Sequence, residues 1–230
     1  MTLYIDLDGP VLDVSRRYHE AYRTIVSGMG ETPVEREVYW RLKRIGWRET
    51  EICARMHPGI DRDRYLDLFV SRIEEPGVLA ADLLAEGAGR TLAALKGRHR
   101  LVLATLRRRG APMRAQLAGL GILDFFDGIL QTEANHGSWR TKATMIAGDL
   151  QSHPVDSLLV GDTEGDILAA RSVRIRALGV RNGLRDPGLL AAAGPCTLID
   201  TIEGLIGHCA EVLGTNGSQA SMGERSCARW

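Results

Sequence analysis

Three short apolar runs restrict this chain more than anything else in it: Leu3-Tyr4-Ile5, Leu101-Val102-Leu103-Ala104 and Leu158-Leu159-Val160. None alternates with polar residues, so each reads as a strand buried on both faces, as in a parallel sheet covered by helices. Each also stops on residues that carry chemistry: Asp6 and Asp8 after the first, Thr105 after the second, Asp162 after the third. Side chains alternate along a strand, so Asp6 and Asp8, two apart, project to the same side. Placing two carboxylates at the end of a buried strand is costly, because each loses solvent beside a like charge. A shared hard cation such as Mg²⁺ offsets that cost. Taken alone, Asp6-Leu7-Asp8-Gly9 serves equally well as a solvated strand-to-turn junction.

After Asp13 the pattern turns helical. Tyr18, Tyr22, Ile25 and Val26 share one stripe, Trp40, Ile45 and Trp47 mark a second segment, and Tyr65, Leu68, Phe69 and Ile73 a third. This block has no strand signal and is expected to be a small all-helical domain, residues 14–79, over the first strand's end. Residues 1–13 and 80–213 are expected to form the core. There, a helix through Leu83, Leu92 and Leu95 precedes a strand over 100–105 and a helix over 112–121. A strand over 128–132 and a helix from Lys142 to Leu150, with Thr141 as its cap, come next. A strand ending on Asp162, a helix from Asp166 to Ser172 and a strand over 175–180 follow. Weaker signals lie at 189–193 and 196–199, with a last helix over 202–213. Such alternation predicts an α/β fold, a Rossmann-like parallel sheet with helices on both faces. Residues 214–230 read as a flexible tail.

Composition excludes more than it identifies. Lys+Arg and Asp+Glu both number 29 in 230 residues, which argues against a nucleic-acid partner. The run Arg107-Arg108-Arg109 and the lone lysine of the helical block, Lys43, read as solvated faces, as charge runs usually are. Arg41, Arg44 and Arg48 admit two readings, a site for a substrate anion or the ordinary display of an amphipathic helix. The four cysteines form no Cys-x-x-Cys pair, and the six histidines show no ligand spacing; His136 and Trp139 are the best outside candidates for lining a site. Trp40 and Trp47 read as the core of the helical block. Without a signal peptide or a membrane-length apolar run, the expectation is a cytoplasmic protein, monomer or homodimer, with no membrane partner.

In open α/β sheets ligands bind beyond the carboxyl ends of the strands. The polar residues expected there are Asp6, Asp8, Thr105, Asp162 and Asp166, with Lys142 at a nearby helix start and Glu164 as a solvent-side group. An acidic cluster holding Mg²⁺ beside a hydroxyl and an ammonium is what phosphoryl transfer needs.

Asp6-x-Asp8-Gly9, the apolar strand ending at Thr105, Lys142, and Gly161-Asp162-Thr163-Glu164-Gly165-Asp166 occur in that order. Over residues 1–205 the chain thereby resembles the haloacid dehalogenase (HAD) superfamily, in its phosphatase branch. The helical block resembles the caps of phosphoglycolate phosphatase-like and β-phosphoglucomutase-like members. The resemblance implies that Asp6 is a nucleophile forming an aspartyl-phosphate, and that Asp8 is the general acid and base. It implies Mg²⁺ held by Asp6, the Asp8 carbonyl, Asp162 and Asp166. Thr105, Lys142 and the N–H groups of Leu7, Asp8 and Leu106 would then grip the phosphoryl group. The expected partner is a small phosphorylated metabolite. Pro10 departs from the threonine usual in the family and would stiffen the turn into the cap. A phosphomutase or a catalytically silent binding module remain alternatives.

Overall fold

The computed structural model describes residues 1–133 and 137–215, so His136 and the expected tail beyond residue 215 lie outside the described residues. The chain opens with β1 (Thr2–Ile5) and a two-residue β2 (Leu12–Asp13), then five helices: α1 (Ser15–Gly28), α2 (Arg36–Arg44), α3 (Glu49–Met56), α4 (Arg62–Arg72) and α5 (Pro76–Leu79). It returns through β3 (Leu83–Leu84) and α6 (Ala88–Leu95) to β4 (Arg100–Ala104), α7 (Gly110–Gly119) and β5 (Gly128–Leu130). Then come α8 (Trp139–Ser152), β6 (Ser157–Gly161), α9 (Glu164–Ser172) and β7 (Arg176–Val180). The last elements are α10 (Pro187–Ala192), β8 (Thr197–Ile199) and α11 (Gly204–Thr215). Six strands form one parallel sheet in the order β5-β4-β1-β6-β7-β8. Among the described residues no helix is long and apolar enough to cross a membrane.

The uninterrupted apolar runs are explained by this layering. Leu3, Ile5, Leu101, Leu103, Leu158 and Val160 face one side of the sheet, packed with α6, α7 and α11. Tyr4, Val102, Ala104 and Leu159 face the other, packed with α8, α9 and α10. With both faces covered, alternation has no polar side to report. β1 lies between β4 and β6 in register, Ile5 beside Leu103 and Val160, so Asp6 comes to lie near Thr105 and Asp162 at the sheet's carboxyl edge.

Most element ends shift by one to three residues from expectation, and two of the differences bear on the site and its surroundings. Leu83 and Leu84 do not begin a helix; they pair antiparallel with β2 and close the base of the helical cap. The helix waits for Ala88, after Gly87 takes a left-handed turn (φ +74°). Thr141 is not the cap of α8. Ser138 is, and Thr141 sits three residues in, its hydroxyl accepting from the Ser138 N–H at 3.2 Å. This places Lys142 in the first turn of the helix.

The cap, inserted between β2 and β3, has an apolar cluster of its own, including Tyr22, Tyr39, Ile52, Tyr65 and Phe69. Lys43 belongs to it and is not a solvated residue. Its ammonium pairs with Glu49 at 2.7 Å, both side chains 9% exposed. Glu49 also accepts from the Tyr39 and Tyr65 hydroxyls at 2.8 and 2.9 Å. Sequence alone reads the lysine of Arg41-Leu42-Lys43-Arg44 as surface, because the carboxylate that neutralises it lies on the next helix. Trp47 packs in the same cluster, whereas Trp40 packs against the core cluster and edge-on to Tyr18. Because a buried carboxylate stripped of its counter-ion is strongly unfavourable, Lys43→Met is expected to lower unfolding free energy by about 3 kcal/mol. Urea denaturation of the native and substituted chains measures this.

Candidate active site

The carboxyl ends of β1 and β6 and the first turns of α8 and α9 meet at one point. Asp6, Asp162 and Asp166 each bring one oxygen to within 4.8 Å of the others, and all three residues are buried. Lys142 spans two of them, its Nζ 2.8 Å from Asp6 Oδ1 and 2.5 Å from Asp166 Oδ1. Asp166 also closes a capping box, accepting from the Thr163 N–H at 3.1 Å and hydroxyl at 2.7 Å. Asp162 Oδ2 accepts from the Leu184 N–H, while its Oδ1 is buried with no hydrogen-bond partner.

This cluster is short of positive charge. Three carboxylates face one ammonium at close range. Burial raises the Asp6 carboxyl to about 7, Lys142 opposing the rise and Asp166 adding to it. Burial, with Asp6 and Asp166 beside it, also holds Asp162 well above the usual carboxylate range. Lys142 shows the converse: burial opposes its charge, but Asp166 and Asp6 outweigh that and keep it an ammonium. An all-oxygen donor set, an excess of negative charge and an orphaned carboxylate oxygen together fit a hard divalent cation.

Glycines let the backbone approach. A Cβ at Gly9, whose φ is +108°, would lie 2.1 Å from Asp162 Oδ2, and one at Gly183 would lie 2.0 Å from the same atom. Both positions exclude any side chain while Asp162 stays where it is. Leu7 supports the turn from behind: its side chain is buried in the core and its carbonyl accepts from Val11 and Leu12 N–H.

Beside the cluster a cavity of about 220 Å³ reaches up to the cap, lined by Asp6, Asp8, Thr105, Leu106 and Lys142 from the core and by Arg17, Tyr18, Ile73 and Glu74 from the cap and its border. Seven of the eight expected site residues are therefore in the metal-like cluster or on this cavity. Leu7 is in neither. Glu164 pairs with Arg185 at 2.9 Å on the solvent side. Trp139 packs against the sheet's lower cluster. Arg41 and Arg44 line a separate cleft of about 520 Å³, and the Arg44 guanidinium is engaged by the Arg181 carbonyl at 3.0 Å.

Two arginines belong to the site that sequence analysis does not place there: Arg17, which no pattern marks, and Arg107, which reads as part of a solvated run. Arg107 is not part of a solvated run: it is 4% exposed and donates to Asp8 Oδ1 through Nε at 2.9 Å and Nη2 at 2.6 Å. Arg17, from α1, pairs with Asp8 Oδ2. Burial pushes Asp8 up, but Arg107 and Arg17 overcome it and hold the carboxyl at about 2. Arg108 and Arg109 turn their backbone N–H groups to Glu74, the latter at 2.7 Å. Arg107 lies two residues past Thr105, where a strand end re-enters the site; that was the available signal.

Known proteins resemble this chain in sequence and in fold. Residues 1–174 match the model of the haloacid dehalogenase-like hydrolase family. The probable phosphatase IndB of Dickeya dadantii is 27% identical over 144 residues, 62% of this chain and 63% of that protein, so less than two thirds of that relative is spanned. A haloacid dehalogenase-like family hydrolase from Streptococcus pneumoniae superposes with TM-score 0.74 at 20% identity, covering 90% of this chain and 97% of that one. A Thermotoga maritima protein assigned as a β-phosphoglucomutase does so with TM-score 0.68 at 22% identity, covering 92% and 99%. With strand order, acidic cluster and matched sequence in agreement, the chain belongs to the haloacid dehalogenase-like hydrolases.

Proposed function

We propose that the chain is a Mg²⁺-dependent phosphatase that hydrolyses a small phosphorylated metabolite through an aspartyl-phosphate on Asp6. The observation that carries this is the buried triad of Asp6, Asp162 and Asp166 with its unpartnered Asp162 oxygen, set against Lys142 and opening on a small cavity. The resemblance of the four motifs and the phosphatase relative support the same reading.

In this reading Asp6, Asp162, Asp166 and the Asp8 carbonyl hold the divalent ion, which supplies charge neutralisation to an anionic phosphoryl group. Lys142 draws in the same group and lessens its repulsion from Asp6. Thr105 and the N–H groups of Leu7, Asp8 and Leu106 orient it, so that an Asp6 oxygen attacks phosphorus as the ester oxygen departs. Asp8 handles protons: it takes one from the water that hydrolyses the aspartyl-phosphate and hands it to the ester oxygen that departs in the following turnover. Held between two guanidiniums, Asp8 is poised as the acceptor. Residues 14–79 act as a cap that closes over the substrate, and a cavity of about 220 Å³ suits a phosphoryl group on a short carbon skeleton.

Three outcomes are expected. Phosphate release from p-nitrophenyl phosphate and from a panel of sugar and short-acid phosphates stops with EDTA and returns with Mg²⁺. Folded Asp6→Asn loses at least about 10³-fold in kcat, as removal of a covalent nucleophile should; a rate near that of the native chain overturns the assignment. Gly183→Ala drives a methyl into Asp162, so Mg²⁺ raises the native chain's melting temperature and fails to raise the variant's.

A further inference from the structure

Three buried charged side chains gather around a fourth, the partly buried Asp8, where the cap joins the core. Arg17 is 1% exposed, and Asp82 and Arg107 are each 4% exposed. Arg17 Nε donates to Asp82 Oδ1 at 2.9 Å, and its Nη2 pairs with Asp8. Arg107 grips Asp8 with two nitrogens and reaches Asp82 Oδ2 at 2.8 Å. Gln116 braces the group, accepting from Arg107 at 2.5 Å and donating to Asp82 at 3.0 Å and to the Leu79 carbonyl at 2.6 Å. Two arginines and two aspartates balance in charge.

Stability alone explains such a group poorly. Desolvating four charges costs as much as their pairing returns, and apolar packing of equal volume would hold the junction as well. What guanidinium forks offer is direction: a planar donor set fixes the plane and the bearing of the carboxylate it holds. Here the direction is spent on Asp8. Its Oδ1 accepts two N–H groups from Arg107 and its Oδ2 one from Arg17, so Oδ2 keeps acceptor capacity in a residue that lines the cavity shared by Asp6 and Lys142. The two outer members lie on the two strands of chain that enter and leave the cap, Arg17 on α1 and Asp82 after α5.

We propose that Arg107 and Arg17 are positioning residues that aim the Asp8 carboxylate at the hydrolytic water, with Asp82 holding both guanidiniums in place. The proposal rests on the reading of Asp8 as the proton carrier. In the step it serves, the water oxygen forms a bond to phosphorus and the bond from phosphorus to the Asp6 oxygen breaks. That electron pair restores the Asp6 carboxylate, and the water's proton moves to Asp8 Oδ2. A mispointed Asp8 therefore slows hydrolysis of the aspartyl-phosphate more than its formation from an ester whose leaving group needs no proton.

The experiment compares native chain, Asp8→Asn, Arg107→Lys and the double variant Arg107→Gln/Asp82→Asn on p-nitrophenyl phosphate with Mg²⁺. The double variant removes one charge of each sign, and Arg107→Lys keeps the charge but not the fork. The double variant is expected to lose about 30-fold in kcat with KM within about threefold, and Arg107→Lys about tenfold. Both should release a burst of p-nitrophenolate stoichiometric with enzyme, as aspartyl-phosphate accumulates. A native kcat without a burst in both overturns the proposal, and so does a fall in kcat with an equal fall in the first-turnover rate, which marks a structural role. Should the double variant fail to fold, Arg107→Lys decides by the same readouts. A native rate in Asp8→Asn overturns the functional reading of Asp8 itself, which is a different result from native rates in the arginine variants alone.

Discussion

Like charge gathered in a dry place is the constraint that the rest of the molecule answers to. Three carboxylates come together at the sheet's edge with one ammonium among them, and the cost of that arrangement falls on the fold. Each carboxylate is held by structure that stabilises itself for other reasons. Asp6 extends a central strand whose neighbours are in register on both sides; Asp166 closes the capping box of α9; Asp162 is fixed by the Leu184 N–H. Lys142 is brought in from α8, whose own box is made by Ser138 and Thr141. Helix caps and strand pairing thus hold a cluster that isolated side chains would not form.

A second charged group, around Asp8, differs from the first in a telling way. The triad with Lys142 is unbalanced and has an orphaned oxygen, whereas Asp8, Asp82, Arg17 and Arg107 are balanced and densely bonded. Imbalance suits a place that receives something charged; balance suits a place that must hold its shape. The two meet within three residues of the first strand's end, since Asp6 and Asp8 share one loop. The same loop needs Gly9 at positive φ and tolerates Pro10, whose absent N–H is not called upon by the Gly9-to-Leu12 hydrogen bond that closes the turn.

What was legible in the sequence followed from periodicity and strand ends. Buried runs gave the parallel sheet, and polar residues just beyond them gave Asp6, Asp8, Thr105 and Asp162, because the topology itself puts strand ends together. Legibility failed wherever a charge is neutralised from a distance. Lys43 is buried by Glu49 on the following helix, and Arg107 by Asp8 and Asp82, 99 and 25 residues away in the chain. A local pattern of arginines cannot show such partners, so hydrophilic composition reads as exposure. Leu83 failed differently: an apolar pair fits a helix or a strand, and only its pairing with β2 decides.

The network around Asp8 also bears on how the helical insertion and the chemistry depend on each other. Arg17 begins the cap's first helix, Asp82 ends its return, and Gln116 touches the carbonyl of Leu79 at the end of α5. Glu74, in the turn between α4 and α5, takes the backbone N–H groups of Arg108 and Arg109 just beyond Thr105. The cap therefore does not rest on the sheet through apolar contact alone; directional bonds tie its two roots to the segments that carry Asp8 and Thr105. Any rotation of the cap about those roots must either break bonds to Asp8 or carry its carboxylate along. Apolar surfaces can slide past each other at little cost, but a forked guanidinium cannot keep its two bonds through a change of angle. A cap attached in this way and the orientation of the Asp8 carboxylate are coupled by construction.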